Sequence, residues 1–309
     1  MKLHNLRDFV TVARYGGIRA AARALGLSQP SLTKSLQQLE AELGAPLFER
    51  TSHGLTINAF GAAFLVRAET AMQELERGRD EILQLKGSSG GKVAIAASSV
   101  VSLMFLTSAL TRFRKRYGTA VVSIQEGTFS NMLRGLRDGS LDFAIGPEPA
   151  AHLPEEMLVE RLFTNTRSII GRSGHPLKRA TTLSKLLDAS WVITGVVGPR
   201  DHEFSEIFTE YKLPVPTPLI RCESLIALLA ILAGSDAIAF LPRQWAQSHI
   251  TKRLLTEFPV RETIAGPATA LIRRHAMPLT PAAEALADAF RREAIYYLNQ
   301  CDDGGLLEA

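Results

Sequence analysis

The pattern of apolar positions changes character near residue 90. Before this point apolar residues recur every three or four positions, which predicts amphipathic helices. Beyond it, short apolar runs such as "KVAIAAS" and "LDFAIG" alternate with amphipathic stretches, which predicts strands alternating with helices. Strands separated by helices in this order pair in parallel, so the larger part of the chain is predicted to be an α/β layer.

The first 60 residues predict three helices and a hairpin. Apolar spacing gives a helix over 3–14, ended by "YGG", and a second from Ile18 to the glycine at 26. Ser28 is suited to cap a third helix, with Pro30 in its first turn. That helix is expected to bury Leu32, Leu36, Leu39 and Leu43. The segment "APLFERTSHGLTINAFG" then predicts a hairpin with "SHG" at its tip, which completes a winged helix-turn-helix.

A polar stripe lies opposite the leucines of the third helix. At 100° per residue this face presents Pro30, Lys34, Gln37 and Ala41, flanked by Thr33 and Gln38. For a single glutamine a solvated helix surface would explain the position. Several side chains that can donate and accept hydrogen bonds, on one capped helix beside a wing, instead favour contact with a ligand.

Residues 58–87 contain no proline and predict one long helix. Its apolar seam has alternating spacings of four and three, typical of a helix that pairs with another helix. The seam residues are Phe64, Ala68, Ala71, Leu75, Gly78, Ile82 and Leu85. A lone amphipathic helix lying on its own domain remains the alternative. "GSSGG" at 87–91 predicts a flexible joint, and its spacing to Lys92 and Val93 excludes a phosphate-binding P-loop.

Charge is concentrated at the N-terminal end. The chain has 309 residues, enough for two or three domains, and a net charge of +4. Residues 1–39 contain six Lys or Arg and a single Asp, whereas the remainder is nearly neutral. A basic N-terminal domain suits a polyanionic partner, although a solvated basic face would give the same count.

No segment resembles a signal peptide or a membrane span. "MKLHNLRDFV" already alternates apolar and polar residues, and "LIALLAILAG" is far shorter than the roughly 20 residues that cross a bilayer. Cys222 and Cys301 are the only cysteines and form no pairing motif. We therefore expect a cytoplasmic protein without disulfides.

The stretch "FVTVARYGGIRAAARALGLSQPSLTKSLQQLEAELGAPLFER" resembles the N-terminal domain of LysR-type transcriptional regulators. The "A-A-x-x-L-x-x-S-Q-P-x-L" core and the later "LFER" carry the resemblance. It implies a winged helix-turn-helix over 1–60, a linker and dimerisation helix over 58–87, and an α/β effector domain like periplasmic binding proteins. That domain has subdomain I at 92–163 and 267–300, subdomain II at 164–266, and a flexible tail at 301–309.

The resemblance implies DNA binding through the third helix and the wing. Arg19 would support phosphate contacts, and a helix in the major groove needs hydrogen-bonding side chains. The implied DNA-binding residues are Ser28, Gln29, Pro30, Ser31, Thr33, Lys34, Gln37, Gln38, Arg50, Thr51, Ser52 and His53. Thr33-Lys34 replaces the Ser-Arg of many members and His53 replaces a common Arg. Both changes could alter base preference, because Lys lacks the bidentate geometry of Arg.

The resemblance also implies a cleft for a small organic effector, with an aromatic carboxylate or sulfonate favoured. The implied cleft residues are Ser98, Ser99, Thr128, Phe129, Pro147, Thr194, Arg200 and His202, the last two in the "GPRDH" loop. Any one of the hydroxyl residues could instead be a helix cap. Expected partners are double-stranded DNA, the effector and a homodimer or homotetramer, with RNA polymerase left open.

Two other classes of protein share such an α/β body. "GRSGH" lacks the second variable residue of the G-x-S-x-G elbow of hydrolases, and the seven histidines show no metal-ligand spacing. A solute-binding protein is disfavoured by the basic N-terminal end and the expected lack of a signal peptide. We therefore expect neither enzymatic activity, nor a cofactor, nor a metal.

Overall fold

The computed structural model describes residues 1–51, 54–126, 129–149, 155–194 and 199–304. Only the backbone is described at residues 50, 51, 54, 129, 130, 199–201 and 300–304. Three predicted site residues, Ser52, His53 and Thr128, lie outside the described residues. Within the described ranges, no helix has both the length and the apolar character needed to cross a membrane.

Three helices and a hairpin form the N-terminal domain, as predicted. The predicted helix ends are confirmed, since Gly16 and Gly26 cap their helices with φ of 67° and 66°, in the left-handed region that favours glycine. The hairpin is antiparallel, and Phe48 pairs with Ile57. The elements are α1 (Leu3–Tyr15), α2 (Ile18–Leu25), α3 (Gln29–Leu43), β1 (Phe48–Thr51) and β2 (Gly54–Ile57).

Phe9 lies at the centre of the core of this domain. Its ring centroid is 5.5 Å from that of Phe48 in the hairpin and 5.4 Å from that of Phe64 in the following helix. One buried ring therefore contacts the wing and the start of the linker helix, and the three elements share a single core.

The prediction for the buried face of α3 is wrong at one position. Leu32, Leu36 and Leu39 are buried, but Leu43 is 39% exposed. Residues 41–44 are all exposed, so the last turn of α3 extends beyond the core.

A single 27-residue helix, α4 (Ala59–Leu85), connects the two parts of the chain. Asn58 caps it, because its side-chain oxygen accepts a hydrogen bond from the backbone N–H of Gly61 at 2.9 Å. Gly61 itself packs tightly, and a Cβ there would lie 2.1 Å from the carbonyl oxygen of Leu47. The junction between the hairpin and α4 is therefore closely packed.

In the described part of the chain, nine strands form the sheet of the C-terminal domain. They are β3 (Lys92–Ala97), β4 (Val121–Glu126), β5 (Phe143–Pro147), β6 (Met157–Arg172), β7 (Ser190–Thr194), β8 (Ile220–Cys222), β9 (Ala237–Pro242), β10 (Leu255–Glu257) and β11 (Ile264–Arg274). The helices are α5 (Ser99–Met104), α6 (Leu106–Arg114), α7 (Phe129–Arg137), α8 (Pro199–Glu210), α9 (Leu225–Gly234), α10 (Gln244–Gln247) and α11 (Pro281–Gly304), with a 3₁₀ turn at Leu183–Leu186.

Two long antiparallel strands, β6 and β11, join two lobes. The strand order is β4-β3-β5-β11-β6-β9-β7-β8, with β10 also paired to β6. The first half of β6 pairs with β11 in lobe I, and its second half pairs with β9 and β10 in lobe II. The ladder between β6 and β11 is irregular between Gly266 and Thr269, where the chain passes from one lobe to the other.

Several predicted boundaries are corrected by the structure. Helices α5 and α6 are separate at Phe105, because α5 packs against α10 whereas α6 packs against α11. Helix α8 begins at Pro199, so Arg200 and His202 lie in its first turn instead of in a loop. Helix α11 runs to Gly304, past the start of the predicted tail at 301.

The predicted joint at 87–91 is held by side chains from α4. The Gln84 amide nitrogen donates to the carbonyl oxygen of Gly90 at 3.1 Å, and the backbone N–H of Lys92 donates to Asp80 at 3.1 Å. The flexibility of the joint stays a prediction from composition, and the preceding helix supplies hydrogen bonds to the end of the loop.

Candidate nucleic-acid interface and effector cleft

The outward face of α3 carries the predicted polar stripe. Gln37 and Gln38 are exposed, as are the earlier residues of this face except the half-buried Thr33. A shallow open depression is lined by Gln29, Pro30, Thr33, Lys34 and Gln37. The structure thus places these five predicted residues together on one surface.

The first turn of α3 is ordered by two serines. The Ser28 hydroxyl oxygen accepts a hydrogen bond from the backbone N–H of Ser31 at 3.3 Å, and the two hydroxyl oxygens are 2.8 Å apart. Ser28 is therefore the predicted N-cap. Both serines are exposed at the positive end of the helix dipole, where a phosphate oxygen is favoured.

The Thr33 hydroxyl has less hydrogen-bonding capacity than its place on the polar face suggests. Its hydroxyl donates a hydrogen bond to the carbonyl oxygen of Gln29 at 2.9 Å. With its only hydrogen committed to the helix, the hydroxyl can only accept a hydrogen bond from a ligand. Its methyl group is the other feature that Thr33 offers to a base edge.

Arg19, Arg23 and Lys34 are exposed cations of the N-terminal domain that have no salt bridge with any described residue. By contrast, Arg7 is paired with the buried Asp8 at 2.9 Å. The three unpaired charges are available to phosphates or base edges, which is how basic residues contribute to DNA affinity.

The wing is only partly described. Arg50 and Thr51 lie in β1, where their backbones pair with Leu55 and Gly54, and their side chains are not described. Ser52 and His53 fall in the undescribed tip. Their contribution to DNA binding stays a prediction.

Two hydrogen bonds that sequence patterns did not reveal orient α3, one buried and one partly buried. The Ser35 hydroxyl donates to the side-chain oxygen of Asn5 on α1, at 3.3 Å. Near the other end, the backbone N–H of Leu47 donates to the Glu40 carboxylate at 2.7 Å. Serine and glutamate are common on helix surfaces, so neither residue gives a signal before the packing is known.

The cleft that the resemblance implies would lie where strand ends of the two lobes converge. Strands β3, β4 and β5 are parallel in lobe I, and β7, β8 and β9 are parallel in lobe II. Pro147 at the end of β5 pairs with Thr269, which pairs with Phe163 on β6, and Pro242 at the end of β9 pairs with Arg167. Since Phe163 and Arg167 are about 13 Å apart along β6, the carboxyl ends from both lobes meet beside the crossing strands.

Lobe I brings three predicted residues to this edge. Ser98 and Ser99 follow β3, are half-buried and begin α5, and Pro147 ends β5. Ser98 lies beside Gly146, where an added Cβ would be 3.5 Å from the Ser98 Cβ. Ser98 occupies the N-cap position of α5, but its hydroxyl makes no cap hydrogen bond to a described residue.

The other predicted cleft residues are less well supported. Thr194 ends β7 in lobe II and is half-buried. The His202 side chain is 79% exposed and lies 3.1 Å from Glu206, one turn along α8. The side chains of Phe129 and Arg200 are not described.

A buried polar cluster at the lobe crossing was missed by the sequence analysis. Gln244 is 1% exposed, and its amide nitrogen donates to the Asn165 side-chain oxygen at 3.0 Å and to the Tyr297 hydroxyl at 2.9 Å. The Asn165 amide in turn donates to the Thr269 hydroxyl at 2.7 Å. The cluster joins lobe II to both crossing strands and to α11, so it restrains the relative positions of the lobes.

Glu126 places an acidic group at the carboxyl end of β4. The Glu126 side chain is exposed, but desolvation by neighbouring atoms raises the pKa of its carboxyl group. This edge of lobe I therefore combines a carboxyl group with the hydroxyls at the end of β3.

Comparison with known proteins agrees with this architecture. Residues 3–62 match the family described as "Bacterial regulatory helix-turn-helix protein, lysR family", and residues 86–295 match "LysR substrate binding domain". The chain is 25% identical over 312 residues to the HTH-type transcriptional regulator TdcA of Escherichia coli (strain K12), with 99% of this chain and 97% of that protein covered.

A second relative and a solved structure extend the comparison. The HTH-type transcriptional regulator GbpR of Rhizobium radiobacter is 27% identical over 249 residues, covering 79% of this chain and 82% of GbpR. The structure of a full-length OxyR variant from Pseudomonas aeruginosa superposes with a TM-score of 0.68 at 22% identity, covering 94% of this chain and 95% of OxyR. At that identity the structure supports the fold alone.

The fold and the exposed face of α3 define a DNA-binding regulator with a two-lobed substrate-binding domain. The chain belongs to the LysR family of transcriptional regulators, as its matches to both family domains show. The family resemblance inferred from the "SQP" segment is confirmed, and the protein is a regulator, not an enzyme.

Proposed function

We propose that the chain binds a pseudo-palindromic promoter site as a dimer or a dimer of dimers, and that a small organic anion bound between the lobes controls it. The lobes correspond to residues 92–163 with 267–300 and to residues 164–266. The polar depression on α3 is the observation that carries this proposal, because its side chains have the chemistry of base-edge contacts and little role in the core.

Base contacts are divided among these side chains by their chemistry. Gln29, Gln37 and Gln38 can each donate and accept, as adenine requires, and Lys34 can donate to the acceptors of guanine. Thr33 offers a methyl group and an acceptor. Ser28, Ser31 and Arg19 would hold phosphates and fix the register of the helix.

The seam of α4 supports pairing of two chains. Its first part is used within the chain, since Ala68 is buried and Phe64 packs against Phe9. Its second part is open to solvent, with Leu75 55%, Ile82 57% and Leu85 74% exposed. A helix that leaves three large apolar side chains exposed at heptad spacing is suited to a second copy of itself.

The effector site combines hydroxyls and backbone groups at the strand ends. Ser98 and Ser99 can donate to carboxylate or sulfonate oxygens, and Pro147 and Thr194 would contact the organic part from either lobe. Phe129, Arg200, His202 and Thr128 belong to the same proposal and rest on the resemblance alone. An aromatic acid is favoured over a sugar because the proposed lining pairs a few donors with apolar ring surfaces.

Binding to DNA upstream of the gene tests the central proposal. A gel-shift assay with that DNA should show retention that is lost steeply as salt rises, because phosphate contacts release counterions. Equal binding to a scrambled sequence of the same length would contradict sequence recognition. A parallel thermal-shift screen of small acids tests the effector class, and stabilisation only by neutral compounds would contradict the anion.

A further inference from the structure

The inner face of α4 carries an ion cluster that contacts lobe I. The Arg77 Nε donates to the Asp142 carboxylate at 2.7 Å, and a second nitrogen donates to the carbonyl oxygen of Gly139 at 2.5 Å. Arg77 also contacts Glu74 on the same helix, and Glu74 accepts from Arg274 of β11 at 2.6 Å. Arg77 therefore joins the linker helix to the segment before β5, and Glu74 extends the cluster to β11.

The cluster is shielded from water. The side-chain exposures are 19% for Arg77, 8% for Asp142, 13% for Arg274 and 25% for Glu74. Salt screens such pairs weakly, and removing one member leaves a buried charge without a partner. The cluster is thus a stronger constraint than a surface salt bridge.

Additional hydrogen bonds extend this contact along four turns of α4. The Thr70 hydroxyl lies 2.9 Å from the carbonyl oxygens of both Val66 and Asp138 and shares its one hydrogen between them. At the other end, the Gln84 side-chain oxygen accepts from the backbone N–H of Ala282, at the start of α11, at 2.9 Å. The helix is therefore fixed before the 87–91 loop begins.

Asp142 connects the cluster to the strands that reach the cleft. It precedes β5, and its second carboxylate oxygen accepts from the backbone N–H of Ala94 in β3 at 2.7 Å. The other ends of these strands carry Ser98 and Pro147. Each strand spans about 20 Å, so α4 and the cleft lie at opposite ends of the same two strands.

We propose that Arg77 is a positioning residue for DNA binding: it fixes the linker helix on lobe I and thereby sets the spacing of the two recognition helices in the assembly. The angle between the DNA-binding and effector domains is then set by a buried side-chain cluster and not by the glycine-rich loop. The part that concerns spacing rests on the proposed dimer, whereas the part that concerns the helix within one chain does not.

A distance measurement within one chain tests the first part. Spin labels are placed at Arg23→Cys in the DNA-binding domain and Lys115→Cys in lobe I, both exposed, in a background with Cys222→Ser and Cys301→Ser, and diluted with unlabelled protein. Arg77→Ala should shift and broaden the distance distribution. The control Arg79→Ala removes a charge two residues away, at an exposed position with no salt bridge to a described residue, and should leave the distribution unchanged.

A selection of binding sites from random DNA tests the second part. Arg77→Ala should recover the wild-type half-site bases with a wider range of spacings between half-sites. Loss of both the bases and the spacing would indicate a damaged fold and would count against a positioning role. If Arg77→Ala does not fold, Arg77→Gln with Asp142→Asn removes both charges and leaves no unpaired carboxylate at that contact.

The outcomes separate the inference from the proposed function. The positioning role would be overturned if the label-to-label distances stay unchanged in every folded variant that lacks Arg77. It would also be overturned if such a variant selects half-sites with a range of spacings as narrow as that of the wild type. If the wild-type protein selects single half-sites instead of pairs, the proposed dimer is overturned. The distance measurement would still decide whether Arg77 positions the helix within one chain.

Discussion

Ser35 on α3 donates a hydrogen bond to Asn5 on α1 across the core of the DNA-binding domain, with 3.3 Å between the two oxygens. Ser35 is 7% exposed and Asn5 is fully buried. This polar pair fixes the orientation of α3 about its own axis relative to α1, because a hydrogen bond is more directional than apolar contacts.

Ser35→Ala should therefore destabilise the DNA-binding domain by about 1 kcal/mol, the usual net value of a hydrogen bond, with a further cost from the unpaired Asn5 oxygen. Urea unfolding followed by circular dichroism measures this. Ser123→Ala, at an exposed position in β4, is the matched control. Equal midpoints for the two variants would show that the buried bond contributes nothing.

Replacing Lys34 and Gln37 together by alanine should abolish sequence preference while leaving the effector domain intact. Each good base contact contributes about 1–3 kcal/mol of discrimination, so the ratio of specific to scrambled binding should fall by roughly 10- to 100-fold or more. Fluorescence anisotropy with both DNAs measures the ratio. The control Lys86→Ala removes an exposed charge at the end of α4 and should change the ratio little.

Leu75→Glu with Ile82→Glu should convert the assembly to a smaller species, because charges on an apolar helix seam are desolvated on pairing. Analytical ultracentrifugation at micromolar concentration gives the mass. Leu83→Glu, on an exposed leucine outside the seam, serves as the comparison. An unchanged mass for the double variant would place the subunit contact elsewhere.

Glu74 gives a prediction for pH dependence. Burial raises the pKa of its carboxyl group, but the hydrogen bond from Arg274 and the charge of Arg77 outweigh burial and lower it below its ordinary value of 4.5. A lowered folded-state pKa stabilises the protein above pH 4.5, and this contribution is lost as the pH falls through the folded value. Glu74→Gln should therefore lower the Tm at pH 7 and have progressively less effect in acid, as calorimetry would show. The same decrease in Tm at pH 7 and in acid would remove Glu74 as the titrating group.

Ser99→Ala should weaken binding of benzoate, used as the probe for an aromatic carboxylate, without altering DNA affinity in its absence. The loss of one hydrogen bond to a charged group corresponds to about 1.5–3 kcal/mol, or roughly 10-fold or more in Kd. Isothermal titration calorimetry measures it, with the exposed Ser123→Ala as control. An unchanged titration would remove Ser99 from the site.

Most of the fold follows from local patterns. The ends of α1 and α2 were predicted because glycine alone readily adopts the left-handed conformation that ends those helices. The strand β6 has an apolar run only in its second half, at "SIIG". Its first half is largely exposed and lacks an apolar run, so periodicity could not reveal it.

The sequence by itself determined the three-helix domain, its capped recognition helix, the linker helix and the family, since these depend on residues close together in the chain. Only the tertiary structure decided that Ser35 meets Asn5, that Arg77 meets Asp142 and that Gln244 joins lobe II to Tyr297 of lobe I. Those contacts join positions separated by 30, 65 and 53 residues, and the pairing of polar side chains over such separations leaves no periodic pattern in the chain. Local propensity determines the helices and strands, whereas the packing of these elements determines which buried polar groups form hydrogen bonds with each other.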